Sequence, residues 1–75
     1  MAGVATITKE LSLVVNGQAT VSRATTLAEL ILELGYGDAK VATARNGEFV
    51  PQAARRETRL APDDKVEIVS PRQGG

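Results

Sequence analysis

Leu11-Ser12-Leu13-Val14-Val15-Asn16-Gly17-Gln18-Ala19-Thr20-Val21-Ser22 holds two runs rich in β-branched residues on either side of an Asn-Gly pair. Alternation over 11–15 predicts a strand with Leu11, Leu13 and Val15 on one face. Asn and Gly both tolerate positive φ, as a two-residue hairpin turn requires, so Asn16-Gly17 predicts a tight reversal. Residues 18–22 then return as a second strand, and their apolar members, Ala19 and Val21, are expected to face inward. A helix is disfavoured here, because β-branched residues and a central turn dipeptide both oppose it.

The period changes downstream. Thr26 is placed to cap a helix, with Glu29 three residues later as in a capping box. Leu27, Leu30, Ile31 and Leu34 recur at three- and four-residue spacing, which predicts one apolar stripe ending at Gly35. A helix of two or three turns is marginal alone, so this stripe must pack on a sheet. Val41–Arg45 reads as a third strand, Asn46-Gly47 repeats the turn signal, and Glu48–Val50 is its partner, ended by Pro51. Gln52–Arg59 is polar and basic, an irregular crossover or a single helical turn, with Leu60 as its anchor and 61–64 as a turn. Lys65–Val69 alternates most clearly, with Val66 and Ile68 facing the core.

Strand, strand, helix, strand, strand, crossover, strand is an α+β order. One amphipathic helix crossing a mixed sheet of about five strands buries every apolar face, which is the ubiquitin-like β-grasp arrangement. A split βαβ fold would need a second core-facing helix, and residues 52–59 lack its stripe. The expected organisation is a loose lead-in over residues 1–9, a β-grasp domain over 10–70 and a flexible tail over 71–75.

The composition narrows function by exclusion. The 75 residues contain no Cys and no His, which removes a thiolate nucleophile, cysteine-based metal sites and the commonest general base. Nine basic and nine acidic residues leave no net charge, and one Tyr, one Phe and no Trp offer little for stacking on bases. No basic leader or long apolar run is present, so the chain reads as soluble and cytoplasmic, binding neither nucleic acid nor membrane. A non-catalytic protein is expected.

The informative stretch is Ser70-Pro71-Arg72-Gln73-Gly74-Gly75. A diglycine end is either a frayed terminus or a reactive arm. Glycine lacks a Cβ, so such an arm can thread a narrow channel and present its carboxylate from both sides. ATP supplied by a partner would turn that carboxylate into an acyl-adenylate, which a sulfur nucleophile converts to a thiocarboxylate. The same activated end would also serve isopeptide transfer to lysine, and composition does not separate the two.

Val14-Val15-Asn16-Gly17, Thr26-Leu27 with Leu30 and Leu34-Gly35, Val41-Ala42 with Asn46-Gly47, Val50-Pro51, Asp64, Val66-Glu67-Ile68-Val69 and Pro71-Arg72-Gln73-Gly74-Gly75 occur in this order. In that pattern the chain resembles the ThiS family, the small sulfur carriers of thiamine biosynthesis. The resemblance implies Gly75 as the adenylated and thiocarboxylated residue, and a ThiF-like adenylyltransferase that activates it with ATP and Mg. It also implies a sulfur-relay protein such as a cysteine desulfurase, and a ThiG-like thiazole synthase that receives the sulfur. The carrier itself binds no cofactor. Gln52 stands where the family often has a basic residue, and Asp63-Asp64 replaces the usual Gly-Asp. The small subunit of molybdopterin synthase, with a similar fold and ending, is the alternative in the same chemistry. A β-grasp binding module with incidental glycines is the alternative outside it.

Gly74 is assigned steric clearance. Arg72 and Gln73 either hydrogen-bond in the activating enzyme's channel or, for Arg72, simply meet solvent. Arg55, Arg56 and Arg59 are either a solvated loop balanced by Glu57 or an electrostatic docking patch. Phe49 and Val69 contribute to an apolar recognition patch if they lie opposite the helix; for Phe49 a core position is an equal alternative. Tyr36 either covers a core edge or enters an interface. Asp38, Asp63 and Asp64 read as turn formers rather than cation ligands.

Overall fold

The computed structural model describes residues 10–37 and 40–70. The expected lead-in, the tail from Pro71 to Gly75 and Asp38 lie outside the described residues. Five strands, β1 (Leu11–Val15), β2 (Gln18–Ser22), β3 (Ala42–Arg45), β4 (Glu48–Val50) and β5 (Lys65–Val69), form one sheet in the order β2-β1-β5-β3-β4. Helix α1 (Leu27–Glu33) packs on one face, and a 3-10 helix (Gln52–Glu57) forms the crossover before β5. β1 and β5 run parallel and the other neighbours antiparallel, so the mixed β-grasp sheet is present as expected.

Both Asn-Gly pairs reverse the chain with positive φ at each residue, 51° and 80° at Asn16-Gly17 and 52° and 85° at Asn46-Gly47. That twist matches the flanking strands and fixes two-residue loops. Leu13, Val15, Val66, Ile68 and Val50 from the sheet meet Leu27, Leu30 and Ile31 from α1 in one core, with Ala24 beside them. Leu60 packs against this cluster as an anchor.

Two expectations about facing are corrected. Ala19 and Val21 point outward, and Val21 is 62% exposed. The reason is register: the two-residue turn pairs Leu13 with Thr20 and Leu11 with Ser22, and directly paired residues share a face. Thr20 and Ser22 therefore inherit the inner face. Ser22 is 2% exposed, and its hydroxyl accepts from the Ala24 amide and bonds to the Glu33 carboxylate, which makes its burial tolerable. Leu34 is the other correction. It caps the helix rather than extending the stripe, and stands partly exposed. Gly35, at φ 90°, donates to the Leu32 carbonyl and Tyr36 to that of Ile31, the Schellman pattern that turns the chain out of the helix.

The helix start follows its sequence signal with one shift. Thr26 Oγ1 accepts from the Glu29 amide at 3.2 Å, but the Glu29 carboxylate reaches back to Thr25, accepting from its amide at 2.8 Å and its hydroxyl at 3.0 Å. The Leu27 amide instead donates to the Thr58 carbonyl, tying the helix to the crossover. The bonds from the Thr25 amide and hydroxyl, aided by the Thr26 amide and the Arg59 charge, hold the Glu29 carboxyl below its ordinary value of 4.5. A carboxyl depressed by folding stabilises at pH above its unfolded value and ceases to do so as pH falls through its folded value. Glu29→Gln is therefore expected to melt below the wild type at neutral pH, with the gap closing as pH is lowered below 4.5 and through the depressed folded value in a thermal-unfolding series.

Candidate functional site

β5 is the middle strand, and the chain leaves the described structure from its end, after Val69 and Ser70. What fixes this strand reaches beyond its ladder bonds. Asn46 Oδ1 accepts from the Lys65 amide at 2.9 Å, and its Nδ2 donates to Asp64 Oδ1 at 3.0 Å. Asn16 Oδ1 accepts from the Ile68 amide at 2.8 Å, and its Nδ2 donates to the Ile68 carbonyl at 3.2 Å. The two turn asparagines thus hold opposite ends of β5. Sequence reading assigned them to the turns alone, since positive φ and a long-range bond leave the same letter in the chain.

The turn at 61–64 is also more than local. Asp64, 6% exposed, accepts from Asn46 and from the Ala61 amide, and Arg45 lies 3.7 Å from it. Each carboxylate oxygen is engaged by the protein itself, as expected of a turn former, and links that turn to the β3-β4 hairpin.

The face of the sheet opposite α1 carries the other candidates. Phe49 is 69% exposed and Val69 58% exposed, so the core alternative for Phe49 does not hold. Phe49 pairs with Ala44 across β4-β3, and Val69 with Ala42 across β3-β5. Ala44 also pairs with Glu67. On this face Phe49 and Ala44 share a row with Glu67, and Ala42 and Val69 form the next row, at the end of the sheet from which the chain departs. Tyr36 is half-buried against the core edge.

The three arginines take different places. Arg55 turns inward: Nε donates to Thr43 Oγ1 at 3.0 Å and a terminal nitrogen to the Val41 carbonyl at 2.7 Å. Thr43 is 1% exposed, and its hydroxyl in turn donates to the Val50 carbonyl. Arg56 is exposed beside Leu32 and Ala28 in a groove between α1 and the crossover, which Arg55 also borders. Arg59 lines a separate depression with Arg45, Glu48 and Glu57, so its charge has acidic company. Gly75, Gly74, Gln73 and Arg72 lie outside the described residues.

A β-grasp domain whose central strand delivers the chain beside an exposed Val69 and Phe49 is of the ubiquitin-like class. The sequence model of the ThiS family matches residues 5–75. The crystal structure of a thiamine biosynthesis protein (ThiS) from Geobacter metallireducens is similar, with a TM-score of 0.70 and 32% identity over 87% of this chain and 100% of that one. No curated protein sequence matches at the level sought. The chain belongs to the ThiS family, whose members are non-catalytic sulfur carriers. Among the described residues, no helix is long and apolar enough to cross a membrane.

The contrast between neighbouring arginines is measurable. Arg55→Ala leaves the buried Thr43 hydroxyl short of a charged donor and is expected to cost about 1–3 kcal/mol in urea unfolding. Arg56→Ala is expected to stay within about 0.5 kcal/mol of the wild type.

Proposed function

We propose that this carrier bears sulfur as a thiocarboxylate on Gly75 and hands it to a ThiG-like thiazole synthase. A carboxylate oxygen of Gly75 attacks the α-phosphorus of ATP in a ThiF-like adenylyltransferase, and pyrophosphate leaves. The resulting acyl-adenylate has a good leaving group. The terminal sulfur of a persulfide, on a relay that begins with a cysteine desulfurase, attacks the carbonyl and expels AMP. A thiol then cleaves the resulting acyl disulfide, releasing the thiocarboxylate and leaving a disulfide on the donor. The activating enzyme supplies ATP, Mg and the cationic surroundings, so the carrier needs no titratable catalyst of its own. Gly74 gives clearance, and Arg72 and Gln73 line the approach.

The observation that carries this reading is the position of the apolar face beside the departing chain. Val69 and Ala42, in the row where β5 stops, and Phe49 and Ala44, one row back beside Glu67, offer a partner a surface to grip. From Ser70, five further residues span about 17 Å when extended, enough to reach into a partner whose surface rests on this face. Such short-tail contacts need body contacts beside them, and an exposed aromatic is a common anchor. Arg56 and Arg59 add charge that speeds encounter with acidic partner surfaces. Activation and delivery use the same face and the same arm, so the two enzymes bind in turn.

Incubation with the ThiF-like enzyme, ATP, Mg and a sulfur donor is expected to raise the intact mass by about 16 Da, sulfur replacing one oxygen. Deleting Gly75 should abolish the gain while leaving thermal unfolding unchanged. A folded deletion variant that is still thiolated would overturn the assignment. Phe49→Ala is expected to raise the KM of the activating enzyme for the carrier by about 5- to 30-fold. Its stability should remain within about 0.5 kcal/mol of the wild type, because the side chain is mostly in solvent.

A further inference from the structure

The bonds of the β1-β5 ladder stop earlier on the main chain than on the molecule. The Val14 amide donates to the Asp64 carbonyl and the Asn16 amide to the Val66 carbonyl, each at 2.9 Å. In a parallel ladder the next bonds would join Ile68 to the main-chain carbonyl of residue 16 and the amide of residue 18. The chain has already reversed at Asn16-Gly17, so neither group is available. The Asn16 carboxamide takes both places, with Oδ1 on the Ile68 amide and Nδ2 on the Ile68 carbonyl. The contact spans 52 residues of sequence and lies two residues before Ser70.

We infer that Asn16 is a positioning residue for the carrier reaction: its carboxamide fixes the root of the reactive arm, and so sets how much chain is free to enter the activating enzyme. The inference rests on the reading of Gly75 as the reacting end. On the other side of β5, pairing with β3 holds Val69 opposite Ala42. Without the Asn16 carboxamide, the β1 side of β5 is open beyond Val66, and the arm's root is held from one side only. A longer free arm lowers the effective concentration of its end in the partner's channel, because more chain must be ordered on docking. The same loosening reaches Val69 on the docking face. Binding suffers, and the chemical step at the carbonyl does not.

Asn46 provides a matched control. It occupies the same position in its own Asn-Gly turn, at φ 52° against 51° for Asn16, and its carboxamide holds the opposite end of the same strand. Glycine accepts this backbone at both places, so Asn16→Gly and Asn46→Gly remove the side chain without adding backbone strain. Amide hydrogen exchange at Ile68 is expected to quicken about tenfold in Asn16→Gly and to change little in Asn46→Gly. In the thiolation assay, Asn16→Gly is expected to raise the KM for the carrier about three- to tenfold with kcat unchanged. Asn46→Gly should leave KM near the wild-type value even where it lowers the melting temperature as much.

Asn16→Asp serves as the second variant if the glycine form is poorly folded. It keeps an acceptor for the Ile68 amide, loses the donor to the Ile68 carbonyl, and is expected to fall between wild type and Asn16→Gly in both measurements. Equal KM for the two glycine variants, or a KM that tracks melting temperature in both, overturns the positioning role. Wild-type protein that gains no sulfur in the same assay overturns the carrier reading instead, and the role of Asn16 with it.

Discussion

The middle strand is the member on which the rest of the molecule depends. β5 supplies Val66 and Ile68 to the core, and its two flanks join hairpins that otherwise share no ladder. Remove it and β1-β2 and β3-β4 become separate two-stranded ribbons, each too small to be stable in water. In a thin domain the apolar area is limited, so a strand completed on both sides by main-chain and side-chain bonds counts for more than it would in a larger core. Asn46 and Asp64 complete it at the entry, Asn16 at the exit.

The sheet divides labour between its faces. Inward residues meet α1 in the core, while the outward face near the end of β5 leaves Phe49 and Val69 in water. This arrangement follows from strand alternation and needs no extra element. One strand can bury Ile68, expose Val69 and send the chain onward within three residues. The crossover adds a third use of polarity, because Arg55 is spent on fastening the 3-10 helix to β3 while Arg56 and Arg59 keep exposed positions.

Much of this was legible in the amino-acid sequence. Asn-Gly between β-branched runs specified both hairpins, and the leucine spacing specified α1, because each is a local rule with a strong geometric cause. The β2 facing was not legible from apolarity. Ala19 and Val21 are the more apolar pair, yet register places Thr20 and Ser22 inside, and the Glu33 carboxylate and Ala24 amide make that placement tolerable. Leu34 fits the helical period but falls where the Schellman bonds have already turned the chain. For the candidate site, the outward position of Val69 followed from alternation, whereas Phe49 was open until β4 was paired with β3. The asparagine clamps and the inward turn of Arg55 were invisible, since each joins residues that only the assembled sheet brings together.

Placing the first strand beside the fifth has a consequence for biosynthesis. The piece that closes the sheet is the last of the five strands to leave the ribosome, so the earlier two hairpins emerge with an unfilled slot between them. Cooperative closure must wait for long-range pairing between chain segments made early and late, and such pairing slows folding. Nascent protein therefore remains open until β5 has emerged, and the body closes only once the segment that leads the chain out of the domain has been made.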